Sequence, residues 1–164
     1  METVFLSIGT NLGQKEENLR NAVAMINSEA GRVAASSSIY ETEPWQMESG
    51  NTFFNMVVEI ETSLCPDVLL AKLLEIENRM GRVRRSNIYI SRIIDIDILF
   101  FDSLIINAGN LTIPHPHIAH RRFVLEPLAE ITSSFIHPVL KKSVETLLES
   151  CPDECVVRKT GIKL

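Results

Sequence analysis

Apolar and polar positions along this chain switch between two periods, one of two residues and one of three to four. Val4-Phe5-Leu6-Ser7-Ile8 is a short apolar run that reads as a buried strand, and it ends in the turn-rich Gly9-Thr10-Asn11-Leu12-Gly13. Leu19, Ala22, Val23 and Ile26 then recur at helical spacing, with Gly31 placed to stop the helix. Arg32 to Tyr40, rich in Val, Ala and Ser, predicts a second strand, and Glu41 to Asn51, with Pro44 and Gly50, predicts a loop. Phe53 to Ile60 alternates: Phe54, Met56, Val58 and Ile60 share one face, and Phe53, Asn55, Val57 and Glu59 share the other. Pro66 to Met80 is a second amphipathic helix with Pro at its start and Gly81 past its end. Residues 82 to 92 read as a charged loop, and Ile94 to Phe101 as a fourth strand. A Pro/His-rich loop at 112 to 117 and helices near 122 to 130 and 143 to 149 complete the pattern.

The order strand, helix, strand, strand, helix, strand is that of the ferredoxin-like α+β sandwich. An antiparallel sheet would carry helices on one face, leaving the other for a site or for the C-terminal helical and loop additions. That fold hosts many functions and decides none by itself.

Composition narrows the class. The chain has 164 residues, 45% of them hydrophobic and 23% charged, which fits one globular domain over residues 1–164 and excludes disorder, collagen and coiled coil. A net charge of −5 argues against a general nucleic-acid coat, although a local basic patch can still take phosphate. Cys65, Cys151 and Cys155 are an odd number and form no disulfide framework. No run approaches the length of a membrane span, and no basic stretch leads into an apolar signal at Met1, so a cytoplasmic location is expected.

Asp95 and Asp97 interrupt an apolar strand. Two residues apart, they leave the same face with Cα atoms about 6.5–7 Å apart. They are either the solvated outer face of the strand or a pair of hard oxygen donors for one or two Mg²⁺ ions. Arg79, Arg82, Arg84, Arg85 and Arg92 gather just before them, with no acid between Glu77 and Asp95. Guanidinium groups suit phosphate oxygens, so cations followed by carboxylates make a natural polyphosphate site. A solvated basic loop or a nucleic-acid patch is the plainer alternative. The Gly9–Gly13 turn lacks the Gly-Lys-Ser/Thr of a P-loop. His115-Pro116-His117 has no Cys or Glu partners for zinc, and His115 suits a phosphate contact better. Phe53 and Asn55 face the way Asp95 and Asp97 would in one sheet. An aromatic ring beside an amide suits a flat heterocycle, the alternative being that Phe53 packs under the C-terminal third.

Several stretches together resemble one family. They are Gly9-Thr10-Asn11-Leu12-Gly13, Ser38-Ile39-Tyr40-Glu41-Thr42-Glu43-Pro44-Trp45, Phe53-Phe54-Asn55, and Glu77 followed by Gly81-Arg82-Val83-Arg84. Arg92-x-x-Asp95-Ile96-Asp97-Ile98-Leu99 and Leu111-Thr112-Ile113-Pro114-His115-Pro116 follow, then Arg121-Arg122-Phe123-Val124-Leu125-x-Pro127-Leu128. In this order they resemble the 6-hydroxymethyl-7,8-dihydropterin pyrophosphokinases of folate biosynthesis. The resemblance implies transfer of pyrophosphate from ATP to the pterin hydroxymethyl oxygen, with AMP leaving. It implies that Asp95 and Asp97 hold two Mg²⁺ ions and that Arg82 and Arg92 stabilise charge during transfer. Phe53 and Phe123 would sandwich the pterin, while Asn55, Thr42, Pro44 and Trp45 read its polar edge. Glu77, Arg84, Ile98, Thr112, His115 and Arg121 would line the ATP site. The chain departs from the family at Tyr89-Ile90-Ser91-Arg92, where an aromatic-Gly-Pro-Arg run is usual, and at Gln46, where Gly is frequent.

The sequence therefore implies an enzyme acting on small molecules, with no nucleic acid or membrane as partner. A non-catalytic ferredoxin-like ligand-binding module is the first rival. A nucleic-acid-binding domain ranks last, since Lys and Arg outside residues 79 to 92 are scattered.

Overall fold

The computed structural model describes residues 1–43, 51–81 and 93–164. Strand β1 (Glu2–Thr10) leads through the Gly-containing turn into helix α1 (Lys15–Glu29). Strands β2 (Arg32–Ser36), β3 (Tyr40–Thr42) and β4 (Phe53–Thr62) follow, then helix α2 (Pro66–Arg79) and strand β5 (Asp95–Phe101). A short hairpin, β6 (Ile106–Ala108) and β7 (Leu111–Ile113), precedes a 3₁₀ turn at Ile118–His120. Helices α3 (Arg122–Thr132) and α4 (Val144–Glu149) and strand β8 (Val157–Lys159) close the chain. The main sheet runs β5-β1-β4-β3-β8, with β2 also on β4, and every pairing in it is antiparallel. This is the ferredoxin-like α+β sandwich, with β2 and β3 sharing the place of its second strand.

One expectation is corrected at that shared place. Arg32 to Tyr40 is not one strand but two, and Glu41 and Thr42, expected in a loop, belong to the second. The break has a local cause. The Ser37 amide donates to the Val57 carbonyl at 2.9 Å, and the Val57 amide donates to the Ser37 hydroxyl, also at 2.9 Å. A side chain thus replaces a ladder carbonyl, and the backbone swings away to restart at Tyr40. The short β7 likewise occupies the start of the expected Pro/His loop.

Two apolar clusters flank the sheet. Leu6, Ile8, Met56, Val58, Ile60, Ile96 and Ile98 meet α1 and α2 through Leu19, Ile26, Leu69, Leu73 and Ile76. On the other face, Phe5, Val57, Leu99 and Phe100 meet α3 and α4 through Val124, Leu125, Leu128, Val144 and Leu147. The β1–β5 register shifts between Phe5 and Leu6, so β5 carries an extra residue there, and Leu99 and Phe100 both join the second cluster. Gly31 is needed for packing as much as for stopping α1. A Cβ there would lie 2.6 Å from the Glu61 carbonyl oxygen, so only glycine lets the helix end approach β4.

The other end of the second face holds Ser7, Gly9, Asn55, Asp95 and Asp97, and it is where the candidate site forms.

Candidate functional site

Strand register builds the site. Gly9 of β1 is opposite Asn55 of β4 and Asp95 of β5, and Asn55 is opposite Tyr40 of β3. Ser7 lies between Val57 and Asp97 in the next row of this face. Because Ile96 and Ile98 enter the first cluster, Asp95 and Asp97 must face the other way, and Asp95 is half-buried there. Thr42 and Phe53 are paired and lie on the same face as Asn55. Phe53 is half-buried on that face.

Asn55 is 4% exposed and donates from Nδ2 to the Thr42 hydroxyl at 2.9 Å. That bond orients the amide and sends Oδ1 over β1. A Cβ at Gly9 would lie 2.8 Å from that oxygen. Gly9 is therefore the space into which the Asn55 carbonyl fits. The turn motif was legible in the sequence; this use of its first glycine was not.

The outer edge of β5 forms the second half. The Ile96 amide donates to Glu77 Oε1 at 2.7 Å, so it points away from β1. Alternation in an antiparallel ladder turns the Ile98 amide the same way. The Ile98 side chain is in the first cluster, so this residue offers the site its backbone. Glu77 is 1% exposed and ties α2 to the edge strand. His115 donates its amide to the Leu99 carbonyl at 2.9 Å, fastening its loop to the same edge. Thr112 lies exposed on β7, and the Arg121 guanidinium lies 5.8 Å from the centre of the Phe123 ring. Phe123 itself packs half-buried against the second cluster. Arg122, by contrast, is bound to the Asp153 carbonyl and to Glu126 and serves the fold.

Burial pushes His115 down to about 4, aided by the charge of Arg121 and by His117, with Asp95 opposing. These influences place His115 near both Arg121 and Asp95. Its Nδ1 accepts the His117 amide at 3.2 Å, so the neutral ring carries its proton on Nε2 and presents a donor. The folded state keeps His115 neutral while the unfolded chain takes up a proton near pH 6.5. The unfolded state then binds more protons between pH 6.5 and about 4, and stability falls as pH drops across that window. Thermal melts of a His115→Asn protein should lose that part of the acid slope. A wild-type slope no steeper than the variant's would show that His115 titrates normally.

Among the described residues no three His, Cys, Asp or Glu side chains converge in a way that could hold a metal ion by themselves. Asp95 and Asp97 are two hard donors, which fits an ion such as Mg²⁺ that takes its remaining ligands from water and phosphate. Among the sequence-derived candidates, Pro44, Trp45, Arg82, Arg84 and Arg92 lie outside the described residues, as do Gln46 and Tyr89-Ile90-Ser91. The described candidates fall on two adjoining surfaces. Asp95, Asp97, Asn55, Thr42 and Phe53 share the sheet face away from the first cluster, and Glu77, the Ile98 backbone and His115 follow the β5 edge.

The chain is an α+β sandwich with a carboxylate pair on one sheet face. The particular family follows from comparison with known proteins. Residues 5–133 match the family model of the 7,8-dihydro-6-hydroxymethylpterin-pyrophosphokinases, and the chain belongs to that family. It is 44% identical over 128 residues to a 2-amino-4-hydroxy-6-hydroxymethyldihydropteridine pyrophosphokinase of Bacillus subtilis, covering 77% of this chain and 76% of that one. It is 38% identical over 141 residues to the Porphyromonas gingivalis enzyme of the same name, covering 84% and 95%. It is also 36% identical over 152 residues to a folic acid synthesis protein of Pneumocystis carinii, covering 93% of this chain but only 20% of that longer one. The fold matches an HPPK-DHPS of Plasmodium falciparum with a TM-score of 0.77 at 18% identity, over 91% of this chain and 44% of that one. No helix among the described residues is long and apolar enough to cross a membrane.

Proposed function

We propose that this chain, as one domain over residues 1–164, transfers pyrophosphate from ATP to the hydroxymethyl group of 6-hydroxymethyl-7,8-dihydropterin. The hydroxyl oxygen attacks the β-phosphorus, the bond from that phosphorus to the bridging oxygen of the α-phosphate breaks, and AMP leaves. The observation that carries the reading is the row Asp95–Gly9–Asn55, which sets a carboxylate for a metal–triphosphate across one intervening strand from an oriented amide. Transfer of this kind needs positioning and charge neutralisation rather than a protein nucleophile.

In this reading Phe53 and Phe123 supply aromatic faces for the pterin. Asn55 and Thr42, with Pro44 and Trp45, read its polar edge. The ATP follows the β5 edge. The Ile98 amide is placed for the base, and Glu77, Arg84, Thr112, His115 and Arg121 line that site. The neutral His115 offers an Nε2–H donor. Arg82 and Arg92 stabilise charge as it develops. Asp95 and Asp97 are the residues that would hold two Mg²⁺ ions, which when bound neutralise the triphosphate. A cytoplasmic setting agrees with the free state of Cys65, Cys151 and Cys155.

The deciding experiment is AMP formation from ATP with the hydroxymethyl dihydropterin, with and without Mg²⁺. Metal-dependent AMP appearing together with the pterin diphosphate is expected. Binding of the pterin without any AMP would leave the non-catalytic module as the better reading.

Gly9→Ala tests the row itself. The added methyl would displace the far end of one buried side chain, so folding should lose about 1–3 kcal/mol. The Asn55 amide, however, must leave its bond to Thr42, and pterin affinity should fall about tenfold. Calorimetry with pterin and with ATP separates the two. Unchanged pterin affinity would show that the amide's orientation is not used.

A further inference from the structure

Lys15 occupies a position that local helix physics does not favour. It is the first residue of α1, where backbone amides point outward and a cation is poorly placed. The neighbouring Glu16 and Glu17 are the charges such a terminus prefers. The Lys15 ammonium instead reaches across to β4. It donates to the Thr52 carbonyl at 3.1 Å and to the Thr52 hydroxyl at 3.0 Å, and it stands 4.5 Å from the centre of the Phe54 ring. Three contacts from one side chain hold the two residues on either side of Phe53.

The pleat makes that arrangement consequential. Phe54 points to the helix side, where it packs against the first cluster, and Phe53 points to the other face beside Asn55. Fixing Thr52 and the Phe54 ring leaves the Phe53 backbone little room to rotate or slide. Thr10 is opposite Phe54, and Gly9 is opposite Asn55, so the same stretch carries the Gly9–Asn55 fit. A lysine on one face of the sheet thus sets the geometry of an aromatic ring on the other.

We propose that Lys15 is a positioning residue for pterin recognition, acting through Thr52 and Phe54 to fix Phe53 and Asn55. The proposal rests on the pyrophosphokinase reading above. It assigns Lys15 no contact with substrate and no part in the transfer.

The test compares Lys15→Met, which keeps the aliphatic stem, with Lys15→Arg, which restores donors and charge. Calorimetry would use the hydroxymethyl dihydropterin and, separately, ATP with Mg²⁺. Amide hydrogen exchange along β4 needs no ligand. In Lys15→Met, pterin dissociation constants should rise about threefold to tenfold with ATP affinity unchanged. Exchange should quicken at residues 53–55 and not at 56–62. Lys15→Arg should restore most of both. Unchanged exchange at 53–55 overturns the clasp whether or not the protein is a pyrophosphokinase. Altered exchange with unchanged pterin affinity overturns the positioning role while leaving the enzyme reading intact. Equal losses for both ligands, with faster exchange along all of β4, overturn it in favour of a general effect on folding. A wild-type protein that binds no pterin overturns the functional reading and this role together.

Discussion

Asp97→Ala is expected to lower the rate of AMP formation by at least about a thousandfold. A metal ion at a transferring phosphoryl group supplies several kcal/mol of charge stabilisation, and each 1.36 kcal/mol is a factor of ten in rate. Loss of one of two carboxylates removes the donor while the triphosphate keeps its charge. Folding should be affected far less than transfer. Asp97 is part-buried on the face of β5 away from the first cluster, while Ile96 and Ile98 on either side of it carry the packing into that cluster. The melting temperature should therefore shift by no more than a few degrees. Asp95→Ala should behave alike, since the two leave the same face two residues apart. Added Mg²⁺ should recover activity only in part, because higher concentration restores occupancy but not the missing ligand. Steady-state assays over a Mg²⁺ series, with melts on the same preparations, check this. Near-normal turnover by both alanine proteins would remove the metal assignment.

What the sequence showed and what it hid divide along physical lines. Long elements with one buried stripe were legible. Leu19, Ala22 and Ile26 fall where helical spacing puts them, and Phe54, Met56, Val58 and Ile60 share the face that packs against the first cluster. The common face of Asp95, Asp97, Phe53 and Asn55 was legible too, because period two fixes facing once strands share a sheet. The break between β2 and β3 was not legible. It depends on one serine hydroxyl replacing a carbonyl opposite Val57, a contact between residues twenty positions apart. β6, β7 and β8, at three residues each, are too short to show a period. The burial of Glu77 was hidden for another reason. Its apolar stripe through Leu69, Leu73 and Ile76 predicts a hydrophobic successor, and the acid is there to hold an edge-strand amide. Lys15 gave a signal that went unused, a cation at the wrong end of a helix.

Glu130→Ala should be strongly destabilising, by about 3 kcal/mol. Glu130 stands on α3 and is 17% exposed. Its carboxylate accepts the Ser38 amide, the Ser38 hydroxyl and the Tyr40 hydroxyl, each at 3.0 Å. Lys159 of β8 adds a bond at 3.2 Å, and Lys163 approaches to 3.8 Å. Ser38 and Tyr40 are themselves buried, so alanine would leave their donors without an acceptor at about 1–3 kcal/mol each, less what water recovers. The exposed lysines contribute little by comparison. For a chain of this length that loss is a drop of roughly 6–12 °C in melting temperature. Glu130→Gln keeps the shape and an acceptor and should cost about half as much. Burial by itself would raise the Glu130 carboxyl, but the bonds from Ser38, Lys159 and Tyr40 hold it below the usual carboxylate value. Its contribution is therefore full above the unfolded value of 4.5 and is lost as pH falls through the lower folded one. The gap between wild type and Glu130→Gln should close in acid. The loss also reaches the site. Tyr40 is paired with Asn55, and Thr42, which holds the Asn55 amide, is two residues further along β3. Loosening the strand at Tyr40 should raise the pterin dissociation constant more than that for ATP, whose proposed site follows β5 at the far edge of the sheet. A Glu130→Ala protein that melts within two or three degrees of wild type would show that water satisfies Ser38 and Tyr40, and that β3 is held by its strand partners alone.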